Sequence, residues 1–188
     1  MIKIFHSMVQ NICKNKAMKI NNEISKFLSG KLLDVGAGRC YISKEIQSKN
    51  KGVDTTCIDI TDFNKTDLKL ILYDGKNIPF KDNSFDNILL IYVLHHVDDP
   101  TAMLKECIRV CNDKIIIIED SANSLLVKPV DYLYNKFHRV ECPFNFKRDI
   151  DWIILFNKLG LDIVHIKRGV EKQWFCPIEH ILFVLKKR

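Results

Sequence analysis

Short apolar runs alternate along this sequence with stretches of helical periodicity, and no other feature constrains the fold as strongly. The apolar runs are rich in β-branched residues and have the length of buried strands. The predicted strands are residues 31–35, 53–60, 68–73, 85–94, 113–120, 161–167 and 180–187. Alternation of this kind predicts βαβ units and a mainly parallel sheet with both faces covered, so the predicted fold class is α/β.

Apolar residues three or four positions apart predict the intervening helices. The predicted helices are residues 7–29, 41–49, 100–110 and 149–159. Asp99 and Pro100 suit the N-cap and the first position of the third helix, whereas Gly30 and Gly160 each follow a helix end. We expect a single domain over residues 1–188, with residues 1–29 as an N-terminal helical extension.

The composition is that of one compact soluble domain and excludes disorder for most of the chain. Of the 188 residues, 47% are hydrophobic and 28% charged. The longest apolar run, residues 88–94, is far shorter than the roughly 20 residues that cross a bilayer. The N-terminal residues lack the pattern of a signal peptide, and we therefore expect a cytoplasmic location.

The formal charge of +6 invites a nucleic-acid interpretation, but the distribution of the charge does not favour it. Most of the excess comes from lysines scattered along the chain, and arginine, the better phosphate ligand, is rare. A generally solvated surface is the favoured interpretation. The seven cysteines include no CxxC pair, so we expect reduced, mostly buried thiols and no metal site.

Two glycines follow the first predicted strand, at Gly36 and Gly38. In open α/β sheets the ligand binds beyond the carboxyl ends of the strands, near the point where the strand order reverses. Glycines there let a ligand approach the backbone, and the next helix offers free N–H groups. A tight strand-to-helix turn without a ligand is the alternative interpretation.

Polar side chains also follow the next three predicted strands. Asp59 ends the second, 21 residues past Gly38, where a carboxylate can accept both hydroxyl protons of a ribose. Asp74 ends the third and either accepts a proton from an adenine amine or belongs to an ordinary Asp-Gly turn. His95 and His96 follow the fourth, and we expect one to serve the site and the other to cap a helix.

These features together resemble the class I (Rossmann-like) S-adenosylmethionine-dependent methyltransferases. The resemblance rests on LLDVGAG at residues 32–38, on the acid at Asp59, and above all on YDGKNIPFKDNSFDNILLIYVLHHVDDP at residues 73–100. It spans roughly residues 30–185. It implies a three-layer sandwich around a mainly parallel, seven-stranded Rossmann-like sheet whose last strand is antiparallel, and S-adenosyl-L-methionine as the cofactor.

The resemblance also assigns residues to the cofactor. The methionine part would lie against the glycine turn and beside the end of the fourth strand, the ribose on the first acid, and the adenine against the residues that follow. In that order, these residues are Asp34, Gly36, Ala37, Gly38, Tyr92, Asp59, Ile60, Asp74 and Gly75. Two positions depart from glycine motifs: Cys40 replaces the family's third glycine, and Tyr41 occupies the last place of the dinucleotide motif GxGxxG.

The acceptor side is less constrained. Residues 120–147 lie where such enzymes place an insertion that covers the acceptor, and their aromatic and polar residues could form a pocket or simply a packed helix and loop. His95, His96 and His138 are the candidate bases, and Asp120 is a candidate for orienting or binding the acceptor.

Three functions remain open from the sequence. The resemblance favours a methyltransferase acting on a small-molecule or lipid-like acceptor, because the family's amino-group motif is absent after the fourth strand. The alternatives are an RNA or protein methyltransferase and a non-catalytic, cofactor-binding regulatory or scaffold subunit.

Overall fold

The computed structural model describes residues 2–122, 145–171 and 179–188, with backbone only for residues 2–9. The described helices are α1 (Ile2–Ile24), α2 (Tyr41–Lys49), α3 (Pro100–Val110) and α4 (Asp149–Lys158). The strands are β1 (Gly30–Val35), β2 (Val53–Asp59), β3 (Leu70–Leu72), β4 (Phe85–Ile91), β5 (Cys111–Asp120), β6 (Leu161–Arg168) and β7 (His180–Lys187). No described helix is long and apolar enough to cross a membrane.

The seven strands form one sheet in the order β3-β2-β1-β4-β5-β7-β6. Strands β1 to β5 pair in parallel, whereas β7 runs antiparallel to both β5 and β6. The predicted α/β fold, with a mainly parallel seven-stranded sheet and an antiparallel last strand, is confirmed. Since β1 lies between β2 and β4, the segments that follow these three strands meet at one edge of the sheet.

Helices cover both faces of the sheet because successive strand residues point to opposite sides. Apolar residues of α3 and α4 bury one face, and those of α1 and α2 bury the other. On the first face these residues are Met103, Leu104, Trp152 and Phe156, and on the second they are Ile20, Ile24 and Ile46. Helix α1 is therefore part of the hydrophobic core in its second half.

The main difference from the predicted elements lies at the end of the fourth strand. The apolar run predicted a strand to Leu94, but β4 ends at Ile91. Tyr92 has a positive φ of 58°, which breaks the extended backbone, and residues 94–96 form a 3₁₀ turn. Strand β3 is also shorter than the run 68–73. An apolar run indicates buried residues, and Leu94 in this turn is still fully buried although it is no longer in the strand.

The predicted cap of α3 is present, since the Asp99 side chain accepts hydrogen bonds from the backbone N–H groups of Thr101 (2.9 Å) and Ala102 (3.0 Å). Replacing Asp99 with alanine should lower the free energy of unfolding by about 1 kcal/mol, because two N–H groups lose their acceptor. Urea denaturation measures the change. Asp98→Ala, at the exposed neighbouring position, is the control, and an equal loss in both variants would contradict the role of the cap.

Candidate functional site

The glycine turn after β1 is held closely against β2 and the segment after β4. The N–H groups of Gly36 and Ala37 both donate to the carbonyl of Ile58, at 2.9 and 3.1 Å. Gly36 has a φ of +73°, and a Cβ built there would lie 2.6 Å from Cγ2 of Val93. Only glycine fits this position, because any side chain would push the turn away from the β4 end.

Two residues later the same turn opens outward. Gly38 has a φ of +53°, and no atom lies within 4 Å of the place where a Cβ would stand. Cys40, at the family's third glycine position, is also left-handed (φ 59°), but its side chain is fully buried. The cysteine therefore accommodates its side chain in the interior and leaves the space above Gly38 clear.

Asp59 joins this turn to the end of β2. Its buried carboxylate accepts the Gly38 N–H through Oδ2 at 2.7 Å and the Thr61 N–H through Oδ1 at 3.1 Å. Each carboxylate oxygen can accept a second hydrogen bond. The structure thus brings together the glycine and the acid that the sequence spacing linked, and it leaves acceptor capacity for a ligand's hydroxyl groups.

Beside Asp59, an apolar side chain lies on the surface next to the turn that follows β3. Ile60 is 64% exposed, and its Cγ2 lies 2.9 Å from the place of a Cβ on Gly75. Asp74 accepts the N–H groups of Lys76 and Asn77, both at 2.7 Å. Hydrogen bonds from the Asn77 side chain and from these N–H groups lower the pKa of Asp74 to about 2. Asp74 therefore builds the turn and stays ionised.

Asp34 lies beneath the glycine turn, buried at the end of β1. Its Oδ2 accepts a hydrogen bond from the Ser43 hydroxyl at 2.5 Å. Burial raises the pKa of Asp34 to about 7, with a further contribution from the charge of Asp59. A carboxyl group with this pKa is partly protonated at neutral pH, and a nearby cationic ligand would favour its ionised form.

Tyr92 follows β4 directly and points its hydroxyl away from bulk water. The hydroxyl donates to Oε2 of Glu171 at 3.2 Å, and the Lys16 ammonium lies 4.0 Å from the ring centroid. Burial and the Glu171 charge raise the pKa of Tyr92 well above its ordinary value. Tyr92 is therefore a neutral hydrogen-bond donor at physiological pH and is unsuited to act as a base.

The two adjacent histidines occupy different environments. His95 is buried, with Nδ1 2.6 Å from Oε2 of Glu119 and its ring stacked on Phe146 at 4.7 Å between centroids. The same Glu119 carboxylate accepts the N–H groups of Val93 (2.9 Å) and Leu94 (2.7 Å). Glu119 thus fixes the loop after β4 and the orientation of the His95 ring together.

His96 is half-buried, and its Nδ1 has no hydrogen-bond partner among the residues that the structure describes. Burial, followed by the neighbouring His95, lowers the pKa of His96 to about 4. The imidazole is therefore uncharged at neutral pH and is a weak base.

Asp120, at the end of β5, lies opposite the first residue of β7 because these strands are antiparallel. Its Oδ1 is 3.2 Å from Nε2 of His180. Although burial opposes ionisation, the hydrogen bond from His180 keeps the pKa of Asp120 below its usual value. Asp120 is thus an ionised, paired group. His138 and residues 123–144 of the predicted insertion lie outside the described residues.

Sequence reasoning missed Glu119, Glu171, His180 and Lys16 as parts of this region. Glu119 has a sequence signal, because a charged residue ends an otherwise apolar run. In the structure its side chain is only 1% exposed. No comparable signal marks the other three, because they come from α1, the turn after β6 and the start of β7. Within the described residues, no group of three or more His, Cys, Asp or Glu side chains could hold a metal ion.

Comparison with known proteins relates part of this chain to methyltransferases. Residues 33–118 match the family model described as a methyltransferase domain. A solved structure described as a possible histamine N-methyltransferase from Thermotoga maritima superposes with a TM-score of 0.69 over 100% of both chains, at 18% identity. At that identity the likeness concerns the fold alone.

Two curated relatives are more similar in sequence over shorter segments. The tRNA U34 carboxymethyltransferase of Nautilia profundicola is 34% identical over 40% of this chain, and the demethylmenaquinone methyltransferase of a Geobacillus strain is 36% identical over 37%. The matches cover 28% and 31% of those relatives' own lengths. The chain therefore matches less than a third of the length of each of these relatives.

The raised pKa of Asp34 leads to a testable effect on stability. Because the folded state favours the protonated form, the stabilisation from Asp34 is complete below its ordinary pKa of 3.8 and is lost as the pH rises through about 7. Asp34→Asn keeps an acceptor for Ser43 and avoids a buried charge. The Tm of this variant minus the Tm of the unchanged protein should be at least about 3 °C larger at pH 8 than at pH 5.

Differential scanning calorimetry at the two pH values measures this gain. Asp54→Asn, at an exposed position near the opposite end of β2, is the control and should show no such gain. A difference in Tm between Asp34→Asn and the unchanged protein that is the same at pH 5 and pH 8 would contradict the assigned pKa.

Proposed function

We propose that the chain, whose residues 33–118 match a methyltransferase domain, is a class I (Rossmann-like) S-adenosylmethionine-dependent methyltransferase and transfers the methyl group of this cofactor to a small-molecule or lipid-like acceptor. The observation that carries the proposal is the pairing of Gly38 with Asp59. A clear space above a glycine backbone lies directly beside a buried carboxylate with acceptor capacity to spare.

The residues present fit the adenosine part of the cofactor. Asp59 would accept the two ribose hydroxyls while retaining its backbone donors, because each oxygen has a second lone pair. The exposed Ile60 offers an apolar surface for one face of the adenine, next to Gly75. The ionised Asp74 would accept a hydrogen bond from the exocyclic amine at the edge of the ring.

The methionine part would lie between the glycine turn and the end of β4. Gly36, Ala37 and Gly38 present backbone without side chains larger than a methyl group, and Asp34 beneath them would favour the cofactor's ammonium group. Tyr92 would border this part from the β4 side, since its neighbour Val93 already touches the position of Gly36.

The bound cofactor supplies an activated methyl group, so the chain's own task is to align the acceptor and exclude water. Of the four predicted catalytic residues, the two histidines after β4 are the described candidates for taking a proton. Glu119 orients the His95 ring through Nδ1, the His96 imidazole is uncharged, and Asp120 is paired with His180. A weak base suffices for an oxygen acceptor, because methylation makes its proton strongly acidic.

The charge distribution favours a small acceptor over a nucleic acid. Of the five arginines within the described ranges, four pair with carboxylates, which leaves few guanidinium forks for phosphates. The paired arginines are Arg109, Arg148, Arg168 and Arg188. The relative named for demethylmenaquinone fits this class of acceptor, and the relative named for tRNA supports the alternative.

Binding of S-adenosylhomocysteine, the demethylated cofactor, tests the proposed cradle. Gly38→Ala places a methyl group in the clear space and should weaken binding at least about tenfold, which corresponds to ~1.4 kcal/mol. Gly52→Ala is a matched control, because Gly52 also has a positive φ (+88°) and open space around its Cβ position but lies just before β2, at the other end of that strand.

Isothermal titration calorimetry measures both affinities, and circular dichroism checks that the variants fold. The proposal expects weak binding for Gly38→Ala and unchanged binding for Gly52→Ala. Equal affinities in all three proteins, or no binding to the unchanged protein, would overturn the proposed cofactor site.

An assay with methyl-labelled cofactor tests the acceptor class. We expect label in small-molecule or lipid fractions of a cell extract, with little dependence on salt. Label in RNA, with acceptor binding that falls steeply between about 50 and 200 mM salt, would contradict the acceptor class and favour a polyanion. Cofactor binding without label in small-molecule, lipid, RNA or protein fractions would instead indicate a non-catalytic subunit.

A further inference from the structure

Five polar side chains from five separate parts of the chain meet beside the end of β4. We call them the Tyr92 cluster; its members are Lys16, Tyr92, Asp120, Glu171 and His180. Only Tyr92 lies within residues 33–118, the segment that matches the methyltransferase model. The other four residues lie outside that segment, in α1, β5, the turn after β6 and β7.

Glu171 is the centre of the Tyr92 cluster. Its side chain is fully buried, and its Oε2 accepts a hydrogen bond from the Tyr92 hydroxyl at 3.2 Å and lies 3.4 Å from the Lys16 ammonium. Nδ1 of His180 is 3.5 Å from the same oxygen and 3.3 Å from the carbonyl oxygen of Val170. His180 connects onward to Asp120 through Nε2 at 3.2 Å. A buried carboxylate needs such donors to offset its lost hydration, so the cluster depends on Glu171 and Glu171 on the cluster.

The Tyr92 cluster holds a strained backbone. Tyr92 and Glu171 both have a φ of 58°, a left-handed conformation that is costly for residues with a Cβ. The Tyr92 ring lies between the Lys16 ammonium, 4.0 Å from its centroid, and the His180 ring, 4.9 Å away edge to face. Strain of this kind persists only where surrounding contacts over-determine it, and it concentrates at functional sites.

The strained residue borders the glycine turn. Tyr92 precedes Val93, whose Cγ2 lies 2.6 Å from the place of a Cβ on Gly36. A shift of Tyr92 would therefore move the wall against which the glycine turn packs. Under the proposed function, this wall faces the methionine end of the cofactor and lies far from its adenine end.

We propose that Glu171 is a positioning residue for the methionine end of the cofactor: it fixes Tyr92 through its hydroxyl and, with Lys16, couples helix α1 to the site. This inference rests on the proposed function, since it presumes the cofactor at the glycine turn. Its consequence is selective, because loss of Glu171 should weaken ligands that carry the amino-acid part and spare those that carry only the adenosine.

Two ligands separate these ends of the cofactor. S-Adenosylhomocysteine contains the adenosine and the amino-acid chain, whereas methylthioadenosine contains the adenosine and the sulfur but lacks the amino-acid chain. The ratio of their affinities, measured by isothermal titration calorimetry, reports on the methionine end alone. A role of Glu171 in general stability would lower both affinities together and leave the ratio unchanged.

Three variants change the Tyr92 cluster by different amounts. Glu171→Leu removes the carboxylate, Glu171→Gln keeps an acceptor for the Tyr92 hydroxyl without the charge, and Lys16→Met removes only the ammonium over the ring. Glu23→Gln is the matched control, because the Glu23–Lys167 ion pair (2.7 Å) also joins α1 to β6 but does not touch Tyr92.

We expect Glu171→Leu to reduce the affinity for S-adenosylhomocysteine relative to that for methylthioadenosine about tenfold, the effect of one lost charge-assisted hydrogen bond. Glu171→Gln and Lys16→Met should each reduce it about threefold, and Glu23→Gln should leave it unchanged. If Glu171→Leu does not fold, the two milder variants decide the question.

An unchanged ratio in Glu171→Gln and Lys16→Met, or parallel loss of both ligands, overturns the inference. If the unchanged protein binds neither ligand, the proposed function fails, and the inference fails with it. If the unchanged protein binds both ligands and only the variants' ratio stays constant, the inference alone is wrong.

Discussion

The hydrogen bond from the Gly38 N–H to the Asp59 carboxylate is the interaction on which the candidate site depends. It joins the turn after β1 to the end of β2. The same carboxylate accepts a hydrogen bond from the Thr61 N–H and so sets the direction of the chain beyond β2. A single buried acid thus shapes the turn and the adjoining loop. Because its oxygens keep acceptor capacity, the group that organises the backbone can also contact a ligand.

Buried carboxylates organise the other strand ends in a similar way. Asp34 accepts a hydrogen bond from the Ser43 hydroxyl, and Glu119 accepts one from the N–H of Val93 in the loop after β4. Asp120 pairs with His180, and Glu171 accepts a hydrogen bond from the Tyr92 hydroxyl. Each carboxylate must find donors because it has lost its hydration. The carboxyl edge of the sheet is therefore a row of acids, each of which fixes the segment around it.

This row divides the site into two functional sides. Toward β2 and β3, the acids leave a clear space above Gly38 and an exposed apolar surface at Ile60, which suit an adenosine. Toward β5 and β7, the acids pair with His95 and His180 among aromatic rings. On this second side, Glu119, Asp120 and His180 lie outside residues 33–118, the segment that matches the methyltransferase domain.

Local sequence determined much of this arrangement. The alternation of apolar and helical stretches predicted the sheet and its layers, the Asp99-Pro100 pair predicted the start of α3, and the spacing of Gly38 and Asp59 predicted their proximity. Each of these signals depends on a few neighbouring residues or on strand periodicity, which sterics and capping translate directly into structure. For Asp74, the sequence allowed either a ligand contact or a turn; the structure shows its carboxylate capping the turn, and the ligand contact stays a prediction.

Tertiary structure decided what the histidines and the remaining acids do. The parallel pairing of β4 with β5 brings Glu119 to Nδ1 of His95 from 24 residues away, and the role of His95 as a base stays a prediction. Glu171 reaches Tyr92 across 79 residues. The sequence by itself determined most of the elements and the glycine turn after β1, because those follow from local sterics. The partners of buried charges were decided only by the packing, since a buried group bonds to whatever the fold places beside it.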